Sequence, residues 1–389
     1  MAITILQSPA LVSLAQSPII FSVQDTGSII TSSSFQYVGE LYYWQGNITG
    51  SSSVADYTIT KYPNTANAGI FDLNRIINST LTDFAEANTS NVVYFAVDFY
   101  GQYISGSTFI TGSHVKSTTY KALDGYGVFQ EPIGQAIYSK TPYWPLMTDG
   151  PATQSVFLDN RGTAGVYTGT AGDAIQPTRI LYRSSTGATA NYNVSTSTAT
   201  SGQIAQYPIG PSEPGFPLST TGMEWFSVEP TDGFITLRQP IKYEVECIQK
   251  YPNVRIKWKN RYGQFDFMNF YMVSRQSFET ERKTYQPQLG SWESSTLSYQ
   301  NYDSAVQNYI VDSKQMISVN SFFIPESYND ILKQLLVSDE IYWIYDEEND
   351  LLRPLTIATQ NITFKTSVVD KLIRYQFEFN FGQPYKLIM

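Results

Sequence analysis

The stretch YPNVRIKWKNRYGQFDFMNFYMVS, Tyr251 to Ser274, decides how this chain is read. Val254, Ile256 and Trp258 alternate with Arg255, Lys257 and Lys259. That period of two is a strand with one apolar and one cationic face. Asn260, Arg261, Tyr262 and Gly263 interrupt it. Gly263 can take a positive φ without steric cost, so these four residues predict a hairpin turn. Phe265 and Phe267 resume the alternation, and Phe270 to Val273 extends it as an apolar run. The hairpin carries no catalytic signature, and it points to β architecture rather than to a chemistry.

Outward from the hairpin, the composition agrees. Aromatic residues make up 15% of 389 residues, led by 29 Tyr and 22 Phe; together with Val, Ile and Thr they favour strands. Charged residues are 15%, below the ~25% of an ordinary globular chain. The length predicts two or three domains. A net charge of −9 argues against nonspecific nucleic-acid binding. The single cysteine, Cys247, excludes an internal disulfide framework and reads as a buried strand thiol beside Tyr243 and Val245. The single histidine, His114, excludes a polyhistidine metal centre and reads as exposed or packed. The N-terminal stretch lacks the basic start and continuous apolar core of a signal peptide. No apolar run is long enough to span a bilayer as a helix, so no membrane insertion is expected.

These patterns predict an all-β chain of β-sandwich or β-barrel modules, spanning 1–145, 146–250 and 251–389. Strands are expected at Ile19–Val23, Phe35–Trp44, Tyr57–Thr60, Val92–Tyr100, Ser155–Leu158, Ile180–Arg183, Trp225–Val228, Phe234–Leu237, Tyr243–Ile248, Ile317–Phe323, Glu340–Tyr345, Leu352–Ala358, Ile362–Phe364 and Leu372–Phe381. In the last, Ile373, Tyr375, Phe377, Phe379 and Phe381 share a face. Asp72–Leu81 predicts a short helix, with Asp72 able to cap. Pro325–Val337 predicts another: Pro in the first turn, Glu326 and Asp330 near the N-terminus, and an apolar stripe of Ile331, Leu332, Leu335 and Leu336. Ser184–Gln206 and Gln286–Gln300 read as long polar loops.

No sequence motif assigns catalytic, cofactor or metal residues. The acidic run Asp346–Asp350 lacks EF-hand spacing and reads as a hairpin turn. Asp98 with Asp124 would be a conceivable glycosidase pair, but no spacing singles them out. Tyr126 and Tyr143–Trp144 read as β-domain packing, with sugar stacking as the alternative. The cations Arg255, Lys257, Lys259 and Arg261 are a local excess in an acidic chain. One reading is a solvated strand face that discourages edge pairing. The other is a subunit interface, with an acidic neighbour offering a stretch such as 346–350.

Several stretches together resemble virion structural proteins of tailed phages, especially those infecting Bacteroidetes-type bacteria. They are SPIIFSV (Ser17–Val23), GIFDLNRII (Gly69–Ile77), the core Tyr251–Phe270, SRQSFETERKTY (Ser274–Tyr285), Ser338–Ile357 and DKLIRYQFEFNF (Asp370–Phe381). The resemblance is patchy through 150–240. It takes Ser338–Ile357 as an amphipathic helix before the closing strand, an ending similar to distal-tail or baseplate hub proteins. It implies a noncatalytic tail or baseplate component without cofactors, assembling as a homo-oligomeric ring or with neighbouring virion proteins. The implied location is the virion, after synthesis in the bacterial host cytoplasm. The alternative is a receptor- or glycan-binding virion surface protein that contacts host-surface glycan, a tail fibre or head decoration; a third reading is a polysaccharide depolymerase.

Overall fold

A computed structural model describes residues 3–45, 53–81, 92–127, 146–167, 179–193, 204–231, 240–246, 250–290, 293, 295–298, 300–366 and 373–383. The protein is all-β, with 51% strand and 6% helix. It divides into two compact units. The first comprises 1–247, 258–267 and 327–338; the second comprises 248–257, 268–326 and 339–389.

The first unit begins with a sandwich. One sheet has the order β1 (Ile3–Gln7), β3 (Ile20–Asp25), β6 (Ala68–Asp72). The other runs β2 (Val12–Leu14), β10 (Tyr120–Leu123), β7 (Val92–Ser105), β4 (Gln36–Gln45), β5 (Tyr57–Lys61), with β8 (Thr108–Thr111) and β9 (Val115–Lys116) also on β7. Inward positions of both sheets fill one aromatic core. The Phe21 and Phe71 rings pack on Phe99 at 5.3 and 5.2 Å, and Phe21 meets Tyr120 edge-on at 5.3 Å. Tyr37 is buried, yet its polar end is used: the Asp25 amide donates to its hydroxyl (3.0 Å), which donates to the Asn67 carbonyl (2.7 Å). The predicted helix is shorter than its apolar pattern, α1 at Asn74–Asn78. Ser79 and Thr80 hydroxyls bond back to the carbonyls of Ile76 and Ile77, both at 2.7 Å, a local alternative that competes with continuing the helix.

The same unit holds a five-stranded sheet, β11 (Thr153–Val156), β17 (Ile241–Val245), β16 (Trp225–Thr231), β13 (Arg179–Ser184), β14 (Thr189–Asn193), and a ribbon of β12 (Thr163–Tyr167) with β15 (Ile204–Pro208). Phe226, Tyr243, Tyr182 and Tyr207 lie in its core. Strand β14 and the start of β15 fall inside the stretch Ser184–Gln206 read as loop. In β14 the half-buried side chains are Ala190 and Tyr192, a pleated face too small and sparse to register as hydrophobic alternation. The pairs β2–β10 and β11–β17 are parallel. Cys247, the strand expected at Phe234–Leu237 and Tyr143–Trp144 lie outside the described residues.

The seven-stranded sheet that includes the opening hairpin has the order β19 (Phe265–Phe270), β18 (Val254–Lys259), β22 (Ile341–Asp346), β23 (Leu351–Ile357), β24 (Gln376–Phe381), β21 (Gln307–Asn320), β20 (Arg275–Tyr285). Phe377 and Phe379 face inward as their alternation requires, with Phe270 edge-on to Phe377 at 5.8 Å. Ser338–Ile357 is not a helix: it forms the β22–β23 hairpin, whose acidic turn is ordered by Asp346 accepting the Glu348 and Asn349 amides at 3.1 Å. Ile362–Phe364 forms no strand. The predicted C-terminal helix is α2, Asn329–Val337, entered through a short 3-10 turn at Glu326–Tyr328; it belongs to the first unit.

Strands β20 and β21 exceed what the sequence predicts. They pair from Arg275 opposite Ser318 to Tyr285 opposite Gln307. All eleven residues of β20 are exposed. Strand β24 supports β21 only at Met316–Asn320, so the outer part is a two-stranded ribbon.

Candidate functional site: a strand that turns its cations inward

The cationic side of the opening hairpin is not a solvated face. Every residue of β18 is buried. Arg255 and Lys257 are 3% and 1% exposed, and Lys259 is 8% exposed. Burial of such groups requires charge partners and hydrogen bonds, and carboxylates of the same chain supply them.

In the second unit, Arg255 donates through Nη1 to Glu347 Oε2 at 2.8 Å. Glu347 belongs to the acidic turn 346–350. One carboxylate of the stretch that the sequence offers as an acidic neighbour's is thus engaged by Arg255 within the same chain. Burial pushes the Lys257 ammonium from 10.5 down to about 8, against the opposing pull of Asp350, Glu340 and Glu347. Desolvation outweighs attraction there.

In the first unit, Lys259 Nζ lies 2.7 Å from Asp124 Oδ2, both side chains 9% exposed. Arg261 Nε lies 2.9 Å from Asp149 Oδ2. Asp149 also accepts from the Tyr262 hydroxyl (2.7 Å) and from Gln334 Nε2 on α2 (2.7 Å). Gln334 Oε1 in turn accepts the Arg261 amide at 3.0 Å, and Arg261 Nη2 donates to the Tyr262 hydroxyl at 2.9 Å. The Tyr262 phenol is raised well above its usual range, first by burial and then by the Asp149 charge.

The turn is locked as tightly as its flanks. Gly263 has φ +73°, and a Cβ there would stand 1.6 Å from the Asp124 carbonyl oxygen. Asn260 Oδ1 accepts the amides of Tyr262 and Gln264, both at 3.0 Å, while its Nδ2 donates to the Met147 carbonyl at 2.8 Å. The four cations and the turn's Asn260 and Tyr262 are thus tied to carboxylates, amides and carbonyls of the same chain, and the hairpin is a structural keystone. It presents no nucleophile with a base beside it.

No family model and no curated protein matches this chain.

A second polar cluster escaped the sequence reading. Glu40 and Asp98 are directly opposite across β4 and β7. Glu40 accepts from the Tyr100 hydroxyl (3.1 Å) and the Tyr42 hydroxyl (3.0 Å). Asp98 meets His114 Nδ1 at 3.0 Å, the His114 ring lies 4.4 Å from that of Tyr100, and Lys116 Nζ stands 4.6 Å over Tyr42. Burial and the Glu40 charge push the Tyr100 phenol up to about 12. The His114 side chain is 48% exposed. Asp98 and Asp124 are thus engaged with different partners, the first with His114 and the second with Lys259. Their only sequence signal was period-two alternation: Glu40 and Tyr42 share one face of β4, as do Asp98 and Tyr100 on β7. Among the described residues, no group of three or more His, Cys, Asp or Glu could hold a metal ion, and no helix is long and apolar enough to cross a membrane.

Proposed function

We propose that the protein is a noncatalytic structural subunit of a tailed-phage virion, in its tail or baseplate, assembling with copies of itself and with neighbouring virion proteins. The observation that carries this reading is the exposed ribbon β20–β21 and the loop it brackets. Of 23 exposed large hydrophobic residues among the described residues, eight fall within 275–310. Clustered apolar exposure of this kind marks a surface built to be covered, and an isolated two-stranded ribbon is marginal in water. The stretches that resemble those of tailed-phage virion structural proteins, Ser17–Val23, Gly69–Ile77 and Tyr251–Phe270 among them, point the same way. The test is immunogold labelling of purified virions: gold confined to the tail or its tip supports it, and absence of the chain from gradient-purified particles sinks it.

The Glu40–Asp98 cluster favours a second reading, a receptor- or glycan-binding protein of the virion surface. Fixed carboxylates, phenols and an exposed imidazole on one sheet face suit hydrogen bonding to sugar hydroxyls. A glycan array probed with wild type and with a Glu40→Gln/Asp98→Asn variant separates the two. Binding that the variant loses supports the surface reading, and silence leaves the structural one.

A further inference from the structure

We propose that the β20 edge is a twofold pairing site for a second copy of this chain: the two β20 strands align antiparallel about an axis at Arg282. This inference does not rest on the virion reading. Strand β20 ends the seven-stranded order and, among the described residues, has β21 as its ladder partner. Its outer edge from Glu279 to Tyr285 is therefore a template for strand addition, which backbone hydrogen bonds drive. Charges on an edge usually discourage pairing. Here their order instead selects one register.

A twofold axis perpendicular to the sheet keeps each side chain on its own face, so only residues of equal parity can face each other. On one face, Glu279 is opposite Lys314, Glu281 is opposite Asp312 and Lys283 is opposite Ile310. Glu281 beside Asp312 is a like-charge pair, unfavourable as it stands. Centring the axis on Thr280 would set Glu279 against Glu281 of the partner subunit. Centring it on Glu281 would line up four carboxylates in one row. Centring it on Lys283 would oppose two ammonium groups and leave both acidic pairs unrelieved. Centring it on Arg282 places Lys283 of the partner subunit beside Glu281 and Asp312, twice by symmetry, so each acidic pair gains a cation. Thr280 then faces the partner's Thr284, a favourable cross-strand hydroxyl pair. The cost is Arg282 facing the partner's Arg282 on the other face. The result would turn two marginal ribbons into one four-stranded sheet.

The experiment uses the full chain in a Cys247→Ser background. Arg282→Cys should yield a disulfide-linked dimer under mild oxidation. Thr280→Cys alone should not, but should cross-link when mixed with Thr284→Cys. Adding Lys283→Glu to Arg282→Cys should slow cross-linking by about tenfold, and adding Glu281→Lys as well should restore it, because charge complementarity sets register. Circular dichroism on each variant confirms that strand content is kept; these side chains are exposed, so folding is not at stake. Equal cross-linking from Thr280→Cys alone, no cross-linking from Arg282→Cys, or failure of the charge swap to restore the rate would each overturn the proposal. If the chain pairs in this way yet is absent from virions, the pairing stands and the virion reading falls.

Discussion

Lys257→Met is expected to stabilise the protein at neutral pH. The Lys257 side chain is almost fully buried, and its ammonium is depressed from 10.5 to about 8. That difference corresponds to about 3 kcal/mol of disfavour for the charged form in the fold relative to the unfolded chain. At pH 7 the lysine is protonated in both states, so the full penalty acts. Between pH 8 and 10.5 the unfolded chain holds more protons than the folded one, so wild-type stability gains with rising pH. Methionine replaces the buried lysine stem without a charge. Its removal of the cation leaves Glu347 with Arg255 and leaves Asp350 exposed, so part of the gain is returned. A net stabilisation of about 1–3 kcal/mol at pH 7 is expected, shrinking steadily from pH 8 to 10.5. Urea unfolding of both proteins at pH 7, 8.5 and 10 measures it. A destabilised variant at pH 7, or a difference independent of pH, would refute the reasoning.

Three further outcomes follow, two from the same site and one from the first sandwich core. Gly263→Ala should cost several kcal/mol, on the order of 3 or more, through its positive φ and the approach of Asp124, and should show as a collapse of soluble yield and a lowered Tm. Lys259→Met alone should destabilise by about 3–5 kcal/mol because it strands Asp124, whereas Lys259→Met with Asp124→Leu should recover most of the loss in a double-mutant cycle. Tyr37→Phe removes a donor and an acceptor from the first core and should lower stability by about 1–3 kcal/mol in chemical denaturation.

The fold was legible where one face is buried and the other is not. Ile20–Asp25 and Gln376–Phe381 carry that alternation, and α2 carries a 3.6-residue stripe; each lies within a few residues of its predicted bounds. Strand β20 was missed because all eleven of its residues are exposed, so no hydrophobic period marks it. The candidate site was half legible. The hairpin, its turn and its four cations could be read directly. Their burial could not, because the deciding carboxylates are remote in sequence; Arg255 and Glu347 are 92 positions apart. Periodicity reports which residues share a face and says nothing of what covers it. The polar face of a strand therefore reads as solvated or as a subunit contact until Asp124, Asp149 and Glu347 are seen against its cations. Gln334 shows the same limit: a glutamine on a helix reads as surface until its acceptor, Asp149, is known.

The division of the chain sets an order on synthesis. The first unit includes 258–267 and 327–338, although the rest of it ends at residue 247. A ribosome that has finished Cys247 has made neither the cation for Asp124 nor the arginine, phenol and amide for Asp149. At roughly 5–20 residues per second, the 91 residues from Ile248 to Ser338 take on the order of 5–18 s to emerge. Until residues 258–267 emerge, Asp124 and Asp149 lack the cations they meet in the fold, and Gln334, the last partner of Asp149, arrives only near the end of that interval. The early strands can collapse, but the unit cannot close until residue 338 has been made, and a protein cut short before residue 258 would lack the partners of both carboxylates.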